Sequence, residues 1–261
     1  ALTEPLWQLP TPLRGVLTQP GLPRSADEIT RASAVYHVTS CAVTTNGARL
    51  EVSFPGVDLG VFSGRLQFTV YKGTSLIRQE IVAKTDAPSV AYKYDAGLSG
   101  VPAQPSSRLL WKGLTNLWQE NQLGGAPNDA PVTVKSFNRL IVAEGAGGSI
   151  AAFPPPHTFF WARETSNNLG YNWYQKVAAG PSGPAFSFGV RQAESEETPE
   201  QAGRGSEDRR QNFALRSARP GTWQRMPVYL YVSADPGEAT LASAAAFTRD
   251  DHFKPVPGYQ V

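Results

Sequence analysis

The chain has 261 residues, 41% of them hydrophobic and 18% charged, with 24 glycines, 22 prolines, one cysteine and three histidines. That apolar content is too high for a disordered chain and leaves room for one large domain or two small ones, while so few Cys and His exclude an intrachain disulfide and a Cys/His zinc cluster. The 24 basic residues, 17 of them Arg, are scattered among 22 acidic ones, so no nucleic-acid footprint is read, and no run of about 18 apolar residues marks a membrane span.

Residues 1–33 carry Pro5, Pro10, Pro12, Pro20 and Pro23 and read as an extended arm rather than a helix. The start ALTEPLWQLP has neither a basic nor an apolar leader. Either a signal peptide has been removed or the boundary is arbitrary, and a composition rich in Gly, Pro, Thr and Trp favours the mature form of an exported protein: periplasmic, cell-surface or extracellular.

From Ala34 the hydrophobic period becomes two. Residues 35–39 and 49–54 read as strands joined through Asn46-Gly47, a strong hairpin signal. Residues 64–71 and 76–84 form a second hairpin about the turn 72–75. Leu66, Phe68 and Val70 share one face of its first strand, and in its second Ile77 and Ile81 oppose Arg78 and Glu80. Strands are also expected at 89–95, 132–142, 159–163, 171–176, 185–191, 213–216 and 227–233. Residues 193–211, AESEETPEQAGRGSEDRRQ, have no apolar period and read as a long mobile loop. The single clear helix is 236–247, with Asp235 as N-cap and Pro236 at its first position. About a dozen strands do not fit comfortably in one flat open sheet. The expectation is an all-β fold: a large antiparallel two-sheet sandwich over 34–261, with a Pro-rich N-terminal arm and one short C-terminal helix. The ending FKPVPGYQV, on a turn and an incipient strand, suggests that the chain continues in the full gene product.

The richest stretch for chemistry is 153–176, which contains His157, Trp161, Arg163, Glu164, Tyr171 and Trp173. Aromatic faces beside Asn, Arg and carboxylates suit a sugar, whose C–H face stacks on rings while planar polar groups grip its hydroxyls. Strand alternation puts Trp161 and Arg163 on one face and Glu164 on the other. The plainer alternative is that these aromatics fill the space between two sheets. The stretch 111–121, WKGLTNLWQEN, offers Trp118 and Glu120 as a second binding surface, or else a short helix with its Trp residues docked in the core.

Paired carboxylates could serve glycoside hydrolysis or lyase chemistry, with Glu80, Asp95, Glu120, Glu144 and Glu164 as candidates. Glu80, between Arg78 and Lys84, is expected in a surface salt bridge. His157, after three prolines, is a structural histidine or a proton carrier. Cys41 reads as a buried thiol. Residues 144–149, EGAGGS, read as a tight turn rather than a nucleotide loop. No G-x-S-x-G elbow and no P-loop are present, and no cofactor or metal ligand set is read.

The hairpin GRLQFTVYKGTSLIRQEIVAKT resembles the core hairpin of galactose-mutarotase-like supersandwich domains, which occur in aldose epimerases and in carbohydrate-active lyases and hydrolases. FKPVPGYQV, HTFFWARE and NLGYNWY resemble the N-terminal β-domain of large uncharacterised exported bacterial proteins. The resemblance implies a sandwich that handles carbohydrate. It carries no catalytic residue over, because His37, His157 and His252 do not match the epimerase pattern of two His and a Glu. The leading expectation is therefore an exported carbohydrate-associated domain that binds a glycan or oligosaccharide, or is the accessory part of a glycan-processing enzyme. A structural or assembly component, with self-association or a downstream partner domain, is the alternative, and a stand-alone epimerase or lyase ranks third.

Overall fold

The computed structural model describes residues 30–113, 115–128, 130–157, 171–180, 183–191, 216–249 and 251, with the backbone alone at 171, 179, 180 and 216. The expected arm up to residue 29, the candidate strand 159–163 and the loop 193–211 lie outside them.

The described chain is an all-β sandwich with antiparallel pairing throughout and, among the described residues, one helix. Its strands are β1 (Val35–Tyr36), β2 (Ala42–Thr45), β3 (Arg49–Leu59), β4 (Phe62–Tyr71), β5 (Leu76–Lys84), β6 (Val90–Tyr92), β7 (Asp95–Pro102) and β8 (Arg108–Lys112). There follow β9 (Trp118–Gln122), β10 (Val132–Lys135), β11 (Ile141–Gly145), β12 (Gly148–Phe153), β13 (Tyr171–Gly180), β14 (Gly183–Arg191), β15 (Arg216–Ala218), β16 (Gln224–Ser233) and the helix α1 (Gly237–Phe247). The large sheet runs β1-β3-β4-β5-β16-β12-β11-β8-β9, with β2 also on β3. The small sheet runs β10-β13-β14-β7, and β15 pairs with β6.

Alternation along the strands of the large sheet feeds two cores. Leu109, Ile141, Ala152, Val228 and Leu230 point to the small sheet, where they meet Tyr174, Phe186, Phe188 and Val190. Their chain neighbours Leu110, Val142, Ala151 and Phe153 point the other way and pack on Leu241 and Ala244 of α1. These central strands are thus apolar on both faces because each face is covered. Gln79 Nε2 donates to Gly97 O at 3.0 Å and Tyr94 OH to Pro227 O at 3.0 Å, satisfying polar groups between the layers.

The structure corrects several expectations. The Asn46-Gly47 turn joins β3 to β2, while β1 is only two residues long and pairs farther along β3. The expected strand 132–142 breaks at residues 136–140, so that β10 serves the small sheet and β11 the large one. Residues 89–95 likewise divide between β6 and the start of β7. Cys41 is exposed rather than buried, and so are all four residues of β2, which follows it at the end of the large sheet. Asp235 does not cap α1: Pro236 holds the N-cap position without a side-chain cap bond. Instead the Gly237 N–H donates to the Glu144 carboxylate from β11. A Cβ at Gly237 would run into the side chains of Leu110 and Glu144, so a larger residue here would require them to move. The tight turn read at 144–149 is present between β11 and β12, with Gly145 opposite Gly148.

Candidate functional site

The sequence-predicted residues fall in three places. Trp161, Arg163 and Glu164 lie outside the described residues. Trp118 and Glu120 stand on β9, part of a β8–β9 hairpin rather than a helix, with Trp118 opposite Lys112 and Glu120 opposite Leu110. Leu110 packs under α1, so both face the helix side of the large sheet. Trp118 is 43% exposed and Lys112 Nζ lies 4.8 Å from its ring centre. Glu120 joins a hub on Arg108, whose guanidinium donates to Glu144 at 2.9 and 3.2 Å, to Glu238 at 3.0 and 3.1 Å and to Glu120 at 3.2 Å. The Arg108 hydrogen bonds, helped by the Gly237 N–H, hold the Glu144 carboxyl below the usual carboxylate range against the opposing effect of its partial burial. The hub anchors the start of α1 to the large sheet.

Trp173 projects from the outer face of the small sheet, since its neighbours Asn172 and Tyr174 are buried on the other side. Arg191 lies 5.3 Å from its ring centre and pairs with Asp95 at 2.8 Å. The Trp173 indole N–H is buried, with no hydrogen-bond partner among the described residues. Tyr171 is two positions along the same strand, with its side chain outside the described residues. His157, at φ 54°, donates its backbone N–H to Asp251 Oδ2 at 3.0 Å, and its Nδ1 lies 3.5 Å from Oδ1. Asp251 also binds Arg139 at 3.2 Å. His157 thus stands by itself in a contact that ties residue 251 to the sandwich, apart from both tryptophans.

A fourth cluster joins the aromatic and cationic elements most openly, and it was not read from the sequence. It lies on the helix-side face of β4, β5 and β16. The registers put Arg65 and Arg225 on either side of Val82, and Gln67 and Pro227 on either side of Glu80. One position before β16, Trp223 is 54% exposed, with the Arg65 guanidinium 5.3 Å and the Lys84 ammonium 5.6 Å from its ring centre. Beneath this rim the floor is closed: Glu80 is 1% exposed, Gln67 3% and Val82 2%.

Glu80 is therefore not the surface ion pair expected of it. Its Oε1 takes Arg225 at 2.7 Å and Arg78 at 3.0 Å, with Gln67 Nε2 donating at 3.4 Å, while Oε2 is buried with no partner among the described residues. Two guanidiniums offset the cost of burying one carboxylate and are fixed by it in return. Farther along the same face, burial, reinforced by the neighbouring Tyr229, pushes the Tyr71 phenol up to about 12. A local signal for the cluster existed only in Trp223, which follows a Pro-Gly turn and stands beside Arg225.

A concavity of about 180 Å³ opens beside Thr45, Arg49, Leu50 and Tyr71. This is below the roughly 300 Å³ of small-molecule pockets. What the described residues offer is an open platform rather than an enclosed site. Among them no group of His, Cys, Asp and Glu could hold a metal ion, and no helix is long and apolar enough to cross a membrane.

No family model matches the sequence, and no curated protein is similar to it at a significant level. Among solved structures the chain is similar to a TPR-domain containing protein from Parabacteroides distasonis, at 12% identity and a TM-score of 0.41. The match covers 76% of this chain and 35% of that one, so the chain spans about a third of the other protein's length. A likeness at that level assigns no function.

Proposed function

We propose that the protein is an exported, carbohydrate-associated sandwich domain that binds glycan chains on an open aromatic platform centred on Trp223. One observation carries this reading: a Trp more than half exposed, held between two cations above a buried polar floor. An exposed ring fixed in place can stack on the C–H face of a pyranose, and the flanking planar and charged groups can reach its hydroxyls. The likeness of the β4–β5 hairpin to galactose-mutarotase-like supersandwich domains supports the same reading, since Arg65 and Lys84 both belong to that hairpin. Electrophoresis through gels cast with soluble polysaccharides tests it. The wild-type chain is expected to be retarded by at least one polymer and Trp223→Ala to run freely with an unchanged circular dichroism spectrum. Equal mobility of the two in every gel refutes the platform.

Assembly is the second reading, and it has its own observation. Val35, Tyr36, Val38 and Val43 are 51%, 52%, 44% and 59% exposed along one edge of the large sheet, where a further strand could add. Size exclusion with light scattering, on the chain with and without residues 1–30, decides this. A monomer in both forms eliminates it.

A further inference from the structure

The platform's charge names the class of glycan, an inference that rests on the reading above. On the helix-side face of β4, β5 and β16 stand four cations, Arg65, Arg78, Lys84 and Arg225, and one carboxylate, Glu80. Glu80 is consumed by Arg78 and Arg225. The Arg49–Glu51 pair on neighbouring β3 is internally balanced at 3.2 Å. Asp86, past the end of β5, forms no ion pair with this group. Arg65 donates to a neutral Gln67 oxygen at 3.2 Å, and among the described residues no carboxylate lies within ion-pair reach of Arg65 or Lys84.

Two positive charges with no ion-pair partner among the described residues thus flank the exposed Trp223 ring, and a third, Arg225, keeps half its surface open while braced from below by Glu80. Like charges converging on one ring repel one another, and an anion arriving between them relieves that repulsion. A neutral sugar would gain the ring and leave the cations uncompensated. We infer that the platform selects acidic glycans, with the ring stacking on the sugar and Arg65 and Lys84 taking a carboxylate or sulfate. The guanidinium of Arg65 suits a two-point grip on such a group, and Lys84 acts as a point charge. Glu80 is a positioning residue, holding Arg225 and Arg78 in place.

The test uses the full chain in isothermal titration against polygalacturonate and alginate, with dextran and xyloglucan as neutral polymers. Duplex DNA and phosphatidylserine vesicles represent other anionic partners. The polyuronates should bind and the neutral polymers bind at least about tenfold more weakly. Binding should weaken strongly between about 0.1 M and about 1 M NaCl, where the screening length falls from about 10 Å to about 3 Å. Arg65→Gln and Lys84→Gln should each weaken polyuronate binding about threefold to tenfold and neutral polymers distinctly less, whereas Trp223→Ala should weaken both alike. Equal binding of acidic and neutral polymers, insensitive to Arg65→Gln and Lys84→Gln, overturns the acidic preference and leaves the glycan platform standing. Binding of DNA or vesicles alone, or of no polymer at all, overturns both.

Discussion

Replacing Glu144 by Ala removes the group on which the helix α1 starts. Three hydrogen bonds are lost: two from Arg108, at 2.9 and 3.2 Å, and one from the Gly237 N–H. A helix cap is worth about 1 kcal/mol, and a hydrogen bond to a charged partner about 1.5–3 kcal/mol. Glu144 and Arg108 keep 19% and 25% of their side-chain surface, so solvent screens part of this, and Arg108 retains Glu238 and Glu120. The net loss should be about 3 kcal/mol, or a drop in Tm of about 6–12 °C for a domain of this size. Glu120 contacts the same guanidinium but is 57% exposed, and its Ala variant should cost no more than about 1 kcal/mol. Urea unfolding followed by tryptophan fluorescence measures both.

The pH dependence supplies a second check on the same pair of variants. Glu144 has a lowered pKa in the folded chain, so its contribution is complete above the unfolded carboxyl value and is lost as pH falls through the folded one. The gap between wild type and Glu144→Ala should therefore close in acid. If Glu144→Ala costs no more than Glu120→Ala, or if the gap persists in acid, the cap assignment is wrong.

Further consequences can be measured independently. The Tyr71 phenol is raised to about 12 in the folded protein, so the folded state holds its proton longer than the unfolded one. Stability should fall as pH rises from about 10 towards 12, and Tyr71→Phe should lessen that fall in alkaline denaturation curves. Phe188 is fully buried between the sheets, so Phe188→Ala should cost about 3–5 kcal/mol, whereas Val43→Ala at the exposed edge should change stability by no more than about 0.5 kcal/mol. Cys41, exposed beside β2, should react with a maleimide in the native protein as fast as it does in urea.

Much of the architecture was legible because it is written in local periods. Leu66, Phe68 and Val70 alternate with polar neighbours and β4 and β5 pair as expected, but the better-buried face is the polar one: Gln67 and Thr69 are enclosed while Val70 is 39% exposed. Asn46-Gly47 makes the turn it signals, and the Ala-rich run after Pro236 is helical. What stayed hidden depends on partners far away in the chain. Glu80 looked like a surface acid because its neighbours Arg78 and Lys84 are basic, but it is Arg225, 145 residues on, that permits its burial. The cap of α1 comes from Glu144, 93 residues before it, and displaces the local candidate Asp235. The platform exists only through the register of three strands, which brings Arg65, Lys84 and Trp223 together from two distant segments. Trp118 and Trp173, both read as binding candidates, each stand beside a cation but on different sheets, and they do not form one site.

The most direct measurement of the central claim is the indole region of a proton–nitrogen NMR spectrum during titration with a uronic-acid oligosaccharide. The six Trp residues give separate indole signals there, and Trp223→Phe assigns the relevant one. The Trp223 signal should shift and saturate with the ligand while those of Trp118 and Trp173 stay in place. Movement of Trp118 or Trp173 with Trp223 unmoved, or no movement of any indole up to the solubility limit of the ligand, would contradict that claim.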